Sequence, residues 1–203
     1  MSGVVVRGFS MRRVASAALL ALTLSGCGTV DLLGPPATYD LSAANDLKPA
    51  RSARAQLTVA EPSALQTIDS NRIMVRASGG QVSYLSGAQW SDRLPRLVQV
   101  RLTQSFENAR RITSVGRSDD KLAPDVALVS EIRTFEIDAA TKQAVVEISV
   151  KLVSERSGRI GAANVFMARQ PAGAINGAQA SLALDTAMQD VLRQIVKWTV
   201  ARV

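Results

Sequence analysis

Regular alternation of apolar and polar residues marks the second half of the chain. Three stretches show it, 125–138, 144–155 and 159–169, and polar turns at 139–142 and at Ser157-Gly158 separate them. A period of two over such lengths is typical of strands with one buried face, and the short turns favour antiparallel neighbours. In the middle stretch the predicted buried face consists of Val146, Ile148, Val150 and Leu152.

The first half of the chain contains shorter strand signals. Residues 38–41 and 56–60 alternate briefly, and the polar segment 42–55 between them is predicted to be mobile. Residues 71–86 are predicted to form a β-hairpin. Its turn would be Ser78-Gly79-Gly80, because glycine adopts the positive φ that a tight hairpin requires.

Two helices are predicted from apolar residues that recur at helical spacing. The first covers 92–111, where Pro95 is tolerated only in the first turn. The second covers 177–202, with Asn176 as its N-cap and Gln179 as a capping-box partner. Its apolar stripe, which we expect to be buried rather than to line a lipid groove, consists of Leu184, Ala187, Met188, Val191, Leu192, Ile195 and Val196.

The order of these elements predicts the fold class. Each helix follows its own block of strands, which is typical of an α+β fold. We therefore expect a mainly antiparallel sheet that is covered by two amphipathic helices.

The amino-terminal segment has the pattern of a targeting signal. Arg7, Arg12 and Arg13 precede an apolar run, 14–24, that is shorter than the roughly 20 residues needed to span a bilayer. The run ends at Leu24-Ser25-Gly26-Cys27, which contains the only cysteine and resembles a bacterial lipobox. Residues 1–26 are thus predicted to be a signal peptide, with Met1 or Met11 as its start. The alternative is a small buried cysteine in a core helix.

The lipobox resemblance implies a covalent lipid on Cys27 and no other cofactor. Three acyl chains would hold the protein at a membrane, because each buried methylene contributes about 0.8 kcal/mol. Residues 27–37, which include Gly34-Pro35-Pro36, are predicted to be the lipidated terminus and a tether, and residues 38–203 a single domain. In enteric lipoproteins an aspartate after the cysteine causes inner-membrane retention. Because Gly28 occupies that position, we expect periplasm-facing attachment to the outer membrane.

Charge does not suggest a nucleic-acid partner. The chain has 24 basic and 17 acidic residues, and removal of the three signal-peptide arginines leaves 21 against 17, a net charge near +4. Lysine and arginine are scattered, and no stretch alternates basic with aromatic residues. We therefore expect a partner other than a nucleic acid.

Catalytic and metal-binding patterns are also missing from the sequence. It has no histidine, and Cys27 would be occupied by lipid. No GxSxG, P-loop or GxGxxG motif occurs. Glu131 and Glu136 lie on one predicted strand, where an odd spacing places them on opposite faces and prevents them from acting as a pair. We expect a protein that is not an enzyme and has no catalytic or metal-binding residues.

Trp90, at the entry to the first helix, is the one candidate partner contact outside the lipobox. It could pack inside the domain as part of a hydrophobic staple, or it could be exposed to a partner.

Five segments carry a resemblance to a known family, that of the ABC-type transport auxiliary lipoproteins. They are the lipobox, Thr38-Tyr39-Asp40-Leu41, Asn71-Arg72-Ile73-Met74-Val75, Val82-Ser83-Tyr84 and Gln89-Trp90-Ser91-Asp92-Arg93-Leu94-Pro95-Arg96-Leu97. The resemblance implies a non-enzymatic component of a mammalian-cell-entry (MCE) system, which moves lipids between the inner and outer membranes. The implied partners are an MCE-domain protein and an ABC permease complex, and self-association is possible.

Two other functions stay open. One is an outer-membrane assembly or envelope-integrity lipoprotein that binds a β-barrel machine or peptidoglycan. The other is a lipid-anchored hydrolase, whose activity would depend on one acidic or serine residue.

Overall fold

The computed structural model describes Gly3 and residues 34–47, 52–118, 120 and 124–203. Within these ranges the chain forms nine strands, two α-helices and a single 3-10 turn at Ser78–Gly80. The strands are β1 Ala37–Tyr39, β2 Ala53–Val59, β3 Ser63–Ala64, β4 Arg72–Arg76, β5 Val82–Trp90, β6 Ile112–Arg117, β7 Val126–Asp138, β8 Gln143–Ser154 and β9 Ile160–Pro171. The helices are α1 Leu94–Ala109 and α2 Gly177–Val200. Neither of these two helices has the length and apolarity to cross a membrane.

β7 is the strand that joins the two sides of the sheet. One of its edges pairs antiparallel with β8, from Val126 opposite Ser154 to Asp138 opposite Gln143. Its other edge pairs in succession with β2, β3 and β4, which all run parallel to it. β6 extends the sheet beyond β2, whereas β5 and then β1 extend it beyond β4. β8 pairs on its far edge with β9.

The strand directions correct one part of the predicted fold. The α+β class and the two helices are confirmed, but the expectation of a mainly antiparallel sheet is wrong. Five of the eight strand pairings among the described residues are parallel. Alternation in the sequence shows which face of a strand is buried, but it does not show the direction of the neighbouring strand. Parallel neighbours require long connections, and here β2 meets β6 only after three further strands and α1.

The long strands and the hairpin agree with the sequence. β7, β8 and β9 lie within two residues of the predicted bounds, and β4 and β5 form the expected antiparallel hairpin. Gly79 and Gly80 have φ of 80° and 82° in its turn. The hairpin continues beyond the predicted end at residue 86, because β5 runs to Trp90 and also pairs with β1.

α1 begins at Leu94, two residues later than predicted. Its N-cap residue, Arg93, makes no capping hydrogen bond through its side chain, and Pro95 lies in the first turn. The Leu94 N–H donates instead to the Ser70 carbonyl at 3.0 Å. A backbone carbonyl from the loop before β4 therefore satisfies a donor that a side-chain cap satisfies in many helices.

α2 has the predicted N-cap, Asn176, but the Gln179 side chain does not bond back to the N-cap residue as a capping box requires. The Asn176 side chain accepts a hydrogen bond from the Gln179 N–H at 3.0 Å. The Gln179 side chain accepts from the Ala174 N–H at 3.0 Å, two residues before the N-cap. Gly173, with φ of +62°, has no side chain to collide with that Gln179 oxygen.

The segment that follows β1 packs against α1, which corrects the expectation that residues 42–55 are mobile. Ala44 is fully buried, and its N–H donates to the Ser105 hydroxyl at 2.9 Å. Asn108 donates to the Ala44 carbonyl at 3.2 Å. The Asp40 carboxylate accepts from Arg101 at 2.6 Å. β2 begins at Ala53, within the predicted mobile range, and residues 48–51 lie outside the described part of the chain.

The inner face of the sheet and both helices share one hydrophobic core. All seven residues of the predicted α2 stripe have no exposed surface, so this stripe is buried as expected. Trp90 is 1% exposed, and its ring meets Phe135 of β7 edge-on, with centroids 5.8 Å apart and an interplanar angle of 82°. The structure therefore shows the first of the two alternatives for Trp90, in which the side chain packs inside the domain.

The chain divides into two units at Gly34 and Pro35. The second unit, Pro35–Val203, contains every strand and helix named above. The first unit includes the predicted signal peptide, and all of it except Gly3 and Gly34 lies outside the described residues.

Trp90→Ala should lower the free energy of unfolding by about 3–5 kcal/mol, because it removes a large buried ring and leaves a cavity beside Phe135. Guanidinium unfolding, followed by circular dichroism, measures the loss. Leu182→Ala is the control, because Leu182 is 67% exposed and its truncation should change stability by less than about 0.5 kcal/mol. A loss below about 1 kcal/mol for Trp90→Ala would contradict this packing.

The Asp40 carboxylate should make the free energy of unfolding depend on pH in the acidic range. Burial by itself raises the pKa of this carboxyl. Hydrogen bonds from Arg101 and from the Leu41 N–H lower it, and the net result is a pKa below the usual value. Its contribution is therefore present above the unfolded-state pKa, about 3.9, and is lost as the pH falls through the folded-state pKa. The contribution should stay below about 1 kcal/mol, because the side chain is 52% exposed.

The measurement compares the native protein with Asp40→Asn between pH 3 and pH 7. The stability difference should be constant above about pH 5 and shrink below about pH 4. In an Arg101→Gln background the pH-dependent part of that difference should be smaller. An identical pH dependence in both backgrounds would show that Arg101 does not lower the Asp40 pKa.

Candidate interaction surface

The predicted lipidation site cannot be placed in the structure. Leu24, Ser25, Gly26, Cys27 and Gly28 all lie outside the described residues. The described domain begins just beyond the predicted tether, and β1 starts at Ala37. The lipid attachment therefore stays a prediction from the sequence.

The predicted partner-contact residue, Trp90, is enclosed by the core. It belongs to the hydrophobic cluster that β7 and both helices share, and its backbone N–H donates to the Asn71 carbonyl at 2.7 Å. A side chain with 1% of its surface exposed offers no contact area to a partner. A docking surface must therefore be sought elsewhere on the domain.

Glu131 and Glu136 lie on the same face of β7, and the prediction of opposite faces is wrong. The register of β7 against β8 shifts between Ile132 and Thr134, where β7 holds one extra residue. Glu131 pairs with Ser149 and Glu136 with Val145, positions of equal parity on β8. A bulge reverses the alternation of a strand. The two carboxylates are still about 13 Å apart, at 3.3 Å per residue along β8, too far to act as a pair.

Glu136 is instead neutralised by an arginine. The residue is 5% exposed, and its carboxylate accepts from Arg76 Nε at 2.5 Å and from Arg76 Nη2 at 2.7 Å. The pKa of the Arg76 guanidinium is raised, chiefly by its hydrogen bond to Glu136. This bidentate pair compensates a buried charge and joins β4 to β7. Nowhere in the described part of the chain do three or more acidic, cysteine or histidine residues cluster as metal ligands would.

An open cleft of about 420 Å³ lies between the end of β9 and the first turns of α2. It is lined by residues 170–173, Gln179, Leu182, Ala183 and Thr186. None of these residues is ionisable, so the cleft contains no candidate acid, base or nucleophile with a shifted pKa. Its most exposed apolar side chain is Leu182.

Exposed apolar side chains also lie on the outer face of the three antiparallel strands, opposite the core. Val129 of β7 is 41% exposed, and Val165 and Met167 of β9 are each 43% exposed. The register places all three on one face, in successive rows across β7, β8 and β9. Charged residues lie between them, and Arg133 is 3.5 Å from Glu131 and 3.7 Å from Glu147.

β9 borders this face and is a free edge among the described strands. It pairs with β8 along Ile160–Pro171 and with no other described strand. The sequence contained a signal for this edge that alternation alone did not reveal. No charged residue occurs between Arg159 and Arg169, and the strand is longer than the edge strands β1 and β6.

Comparison with known proteins places this domain in a family. The family model that describes the ABC-type transport auxiliary lipoprotein component matches residues 39–196. The protein bll6063 of Bradyrhizobium diazoefficiens is 30% identical over 175 residues, which are 84% of this chain. The chain spans 47% of the length of that relative.

Solved structures share the fold. A crystal structure of protein XCC0632 from Xanthomonas campestris, described under the family model DUF330, has a TM-score of 0.77 and 28% sequence identity. The match covers 81% of this chain and 95% of that protein. A second crystal structure, of an uncharacterized protein, has a TM-score of 0.65 at 13% identity, with 81% and 99% of the two chains covered, and shows the fold alone.

The extent of the family match, from β1 to the last turns of α2, covers both the sheet and its helical cover. The chain belongs to the family of ABC-type transport auxiliary lipoprotein components.

Proposed function

We propose that this protein is the lipid-anchored, non-enzymatic auxiliary component of an MCE-type ABC system that moves lipids between the inner and outer membranes. The observation that carries the proposal is the family match over residues 39–196, together with the lipobox at residues 24–27. The family establishes an auxiliary role in ABC-type transport. The MCE partner and the lipid substrate are the further steps that this proposal takes.

The position of the anchor supports a role at a membrane surface. Cys27 lies ten residues before Ala37, the first residue of β1, so the intervening chain can extend about 30 Å at 3.3 Å per residue. Gly28 directs the lipidated protein to the outer membrane under the enteric rule. A tether of this length holds the domain close to that membrane and raises its effective concentration for any partner there, so a weak protein contact is enough.

The chemistry of the domain supports binding rather than catalysis. Among the described residues its most buried carboxylate, Glu136, is paired with Arg76, and the cleft between β9 and α2 has no ionisable lining. The apolar stripe of α2, which could have formed a groove for an acyl chain, is buried against the sheet. These features leave the exposed surfaces of the sheet for contact with proteins of the transport system.

The anchor can be tested by substitution at and beside the cysteine. Cys27→Ser should lose its acyl groups and leave the membrane fraction, because the acyl chains are the proposed anchor and neither α1 nor α2 is long and apolar enough to cross a membrane. Gly28→Asp should keep the lipid but shift the protein to the inner-membrane fraction, and Gly28→Ser serves as its control. Intact-mass measurement and sucrose-gradient fractionation give the readout. Native protein without acyl groups would refute the anchor.

The partner can be tested by crosslinking the native protein in its own cells and purifying it from the membranes. We expect recovery of an MCE-domain protein together with the permease, and a reduced yield of both with Cys27→Ser. Recovery of a β-barrel assembly protein instead would support the envelope-assembly alternative. If the permease complex assembles and transports lipid normally without this chain, the proposed role is refuted.

A further inference from the structure

The free edge of β9 presents an unbroken row of backbone hydrogen-bonding groups. The Ala172 N–H donates to the Lys142 carbonyl at 2.9 Å, which fixes this pair as hydrogen-bonded across β8 and β9. In an antiparallel pair such residues alternate with residues whose groups point away. The register therefore directs the N–H and C=O groups of Ala163, Val165, Met167 and Arg169 to the free edge.

This edge lacks the features that protect edge strands from pairing. Native edges are short, carry charges or proline, or are interrupted by bulges. β9 has 12 residues and no charge before Arg169, and its proline, Pro171, comes at the last position. Its one register shift, opposite Leu152 and Val153, falls at the beginning of the strand. The edge strands β1 and β6 have only three and six residues.

The side chains at the same positions would support an added strand. Residues whose backbone groups point to the free edge have their side chains on the outer face of the sheet. Val165 and Met167 are each 43% exposed there. On the other face Phe166 is buried against Trp198, with ring centroids 5.6 Å apart, which fixes β9 against α2. The edge is therefore apolar, accessible and held in place.

We propose that this edge binds an extended segment of a partner protein, which adds to the sheet as a further strand. The segment would have apolar residues that contact Val165 and Met167 and acidic residues toward both of its ends. Backbone hydrogen bonds would supply the affinity, and the contacts of the apolar and acidic side chains would supply the specificity, as in other cases of strand addition. The proposal goes beyond the transport role and does not depend on the identity of the transported lipid.

Charge identifies the class of occupant. Arg159 and Arg169 flank the apolar stretch, and no acidic residue occurs between Glu155 and Asp185. The exposed Lys151 of β8 lies beside Ala163, and Glu147, beside Met167, has Arg133 as its partner at 3.7 Å. If a second copy of β9 paired here, Arg159 and Arg169 of both copies would come together, and neither strand has an acidic residue; Asp138 of β7, which interacts with Arg169, would be the acidic neighbour at that end of each strand. A segment with acidic ends meets opposite charge instead.

Photo-crosslinking in the native host tests the proposal with the full-length, lipidated chain. A photoreactive residue is placed at Val165 or at Met167, and the crosslinked peptides are mapped by mass spectrometry. Val129 is the matched control, because it is 41% exposed on the same face but lies in β7, whose two edges are both paired.

We expect Val165 and Met167 to crosslink to one segment of one partner. The attachment points should lie two residues apart, with acidic residues flanking them, and Val129 should not reach that segment. A crosslink to β9 of a second copy would overturn the proposal in favour of self-pairing. Attachment points three or four residues apart would show a docked helix and also overturn it, as would a yield no higher than that of Val129.

Substitutions test the same edge independently. Val165→Pro removes an edge-facing N–H and no hydrogen bond to β8, so the crosslink yield at Met167 should fall at least tenfold. Val129→Lys should leave the yield within twofold. Arg169→Glu, a variant that keeps every backbone bond, should lower it about fivefold, and Arg169→Lys should restore it. An unchanged yield with both Val165→Pro and Arg169→Glu would refute strand addition. A mapped strand from a protein outside the MCE system would retain this proposal while refuting the transport assignment.

Discussion

The hydrogen bonding of β7 on both of its edges is the constraint on which the rest of the domain depends. One edge is paired over the full length of β8, and the other is shared by three short strands that arrive from separate parts of the chain. Strand alternation then places Leu128, Ile132, Phe135 and Ile137 in the core. A slip by one residue would expose that set to solvent. The apolar inner face requires a cover, and α2 supplies it with its stripe.

Much of this arrangement could be predicted from local patterns. The alternation in β8 predicted its buried face correctly, the glycines at 79 and 80 predicted the hairpin turn, and Asn176 caps α2 as expected. These features depend on residues close together in the sequence. The Gln179 side chain shows the limit of such patterns, because it bonds the loop residue Ala174 instead of the cap residue.

What the sequence did not show depends on contacts between distant segments. The parallel direction of β2, β3 and β4 beside β7 follows from the path of the connections, which alternation does not encode. The bulge after Ile132 moved Glu136 to the face of Glu131, and Arg76, from 60 residues earlier, explains how that carboxylate is buried. Residues 42–47 look polar, yet Ala44 is buried because Ser105 and Asn108 of α1 satisfy its backbone groups.

The two sides of the sheet differ in how their strands are paired. On the side of β2 and β4, the short strands pair with β7 and so join the amino-terminal half of the domain to it. On the other side the meander ends at β9, whose inner face is fixed by α2 and whose outer edge is unpaired among the described strands. A lipidated terminus would hold such a domain at a membrane, and a rigid open edge would offer a contact to other components of a transporter. Binding rather than turnover is consistent with the membership of the family.

Residue-resolved amide hydrogen exchange of the isolated, full-length protein tests this account most directly. If β7 joins the sheet and β9 is a rigid free edge, the β7 amides within the paired stretches of both edges should be protected and exchange only with global unfolding. In β9, Asn164, Phe166 and Ala168 should share that protection, whereas Val165, Met167 and Arg169 should exchange at rates near those of unprotected amides. Uniform protection or uniform exposure along β9 would contradict this account. Rapid exchange of the paired amides on the edge of β7 that faces β2, β3 and β4 would also contradict it.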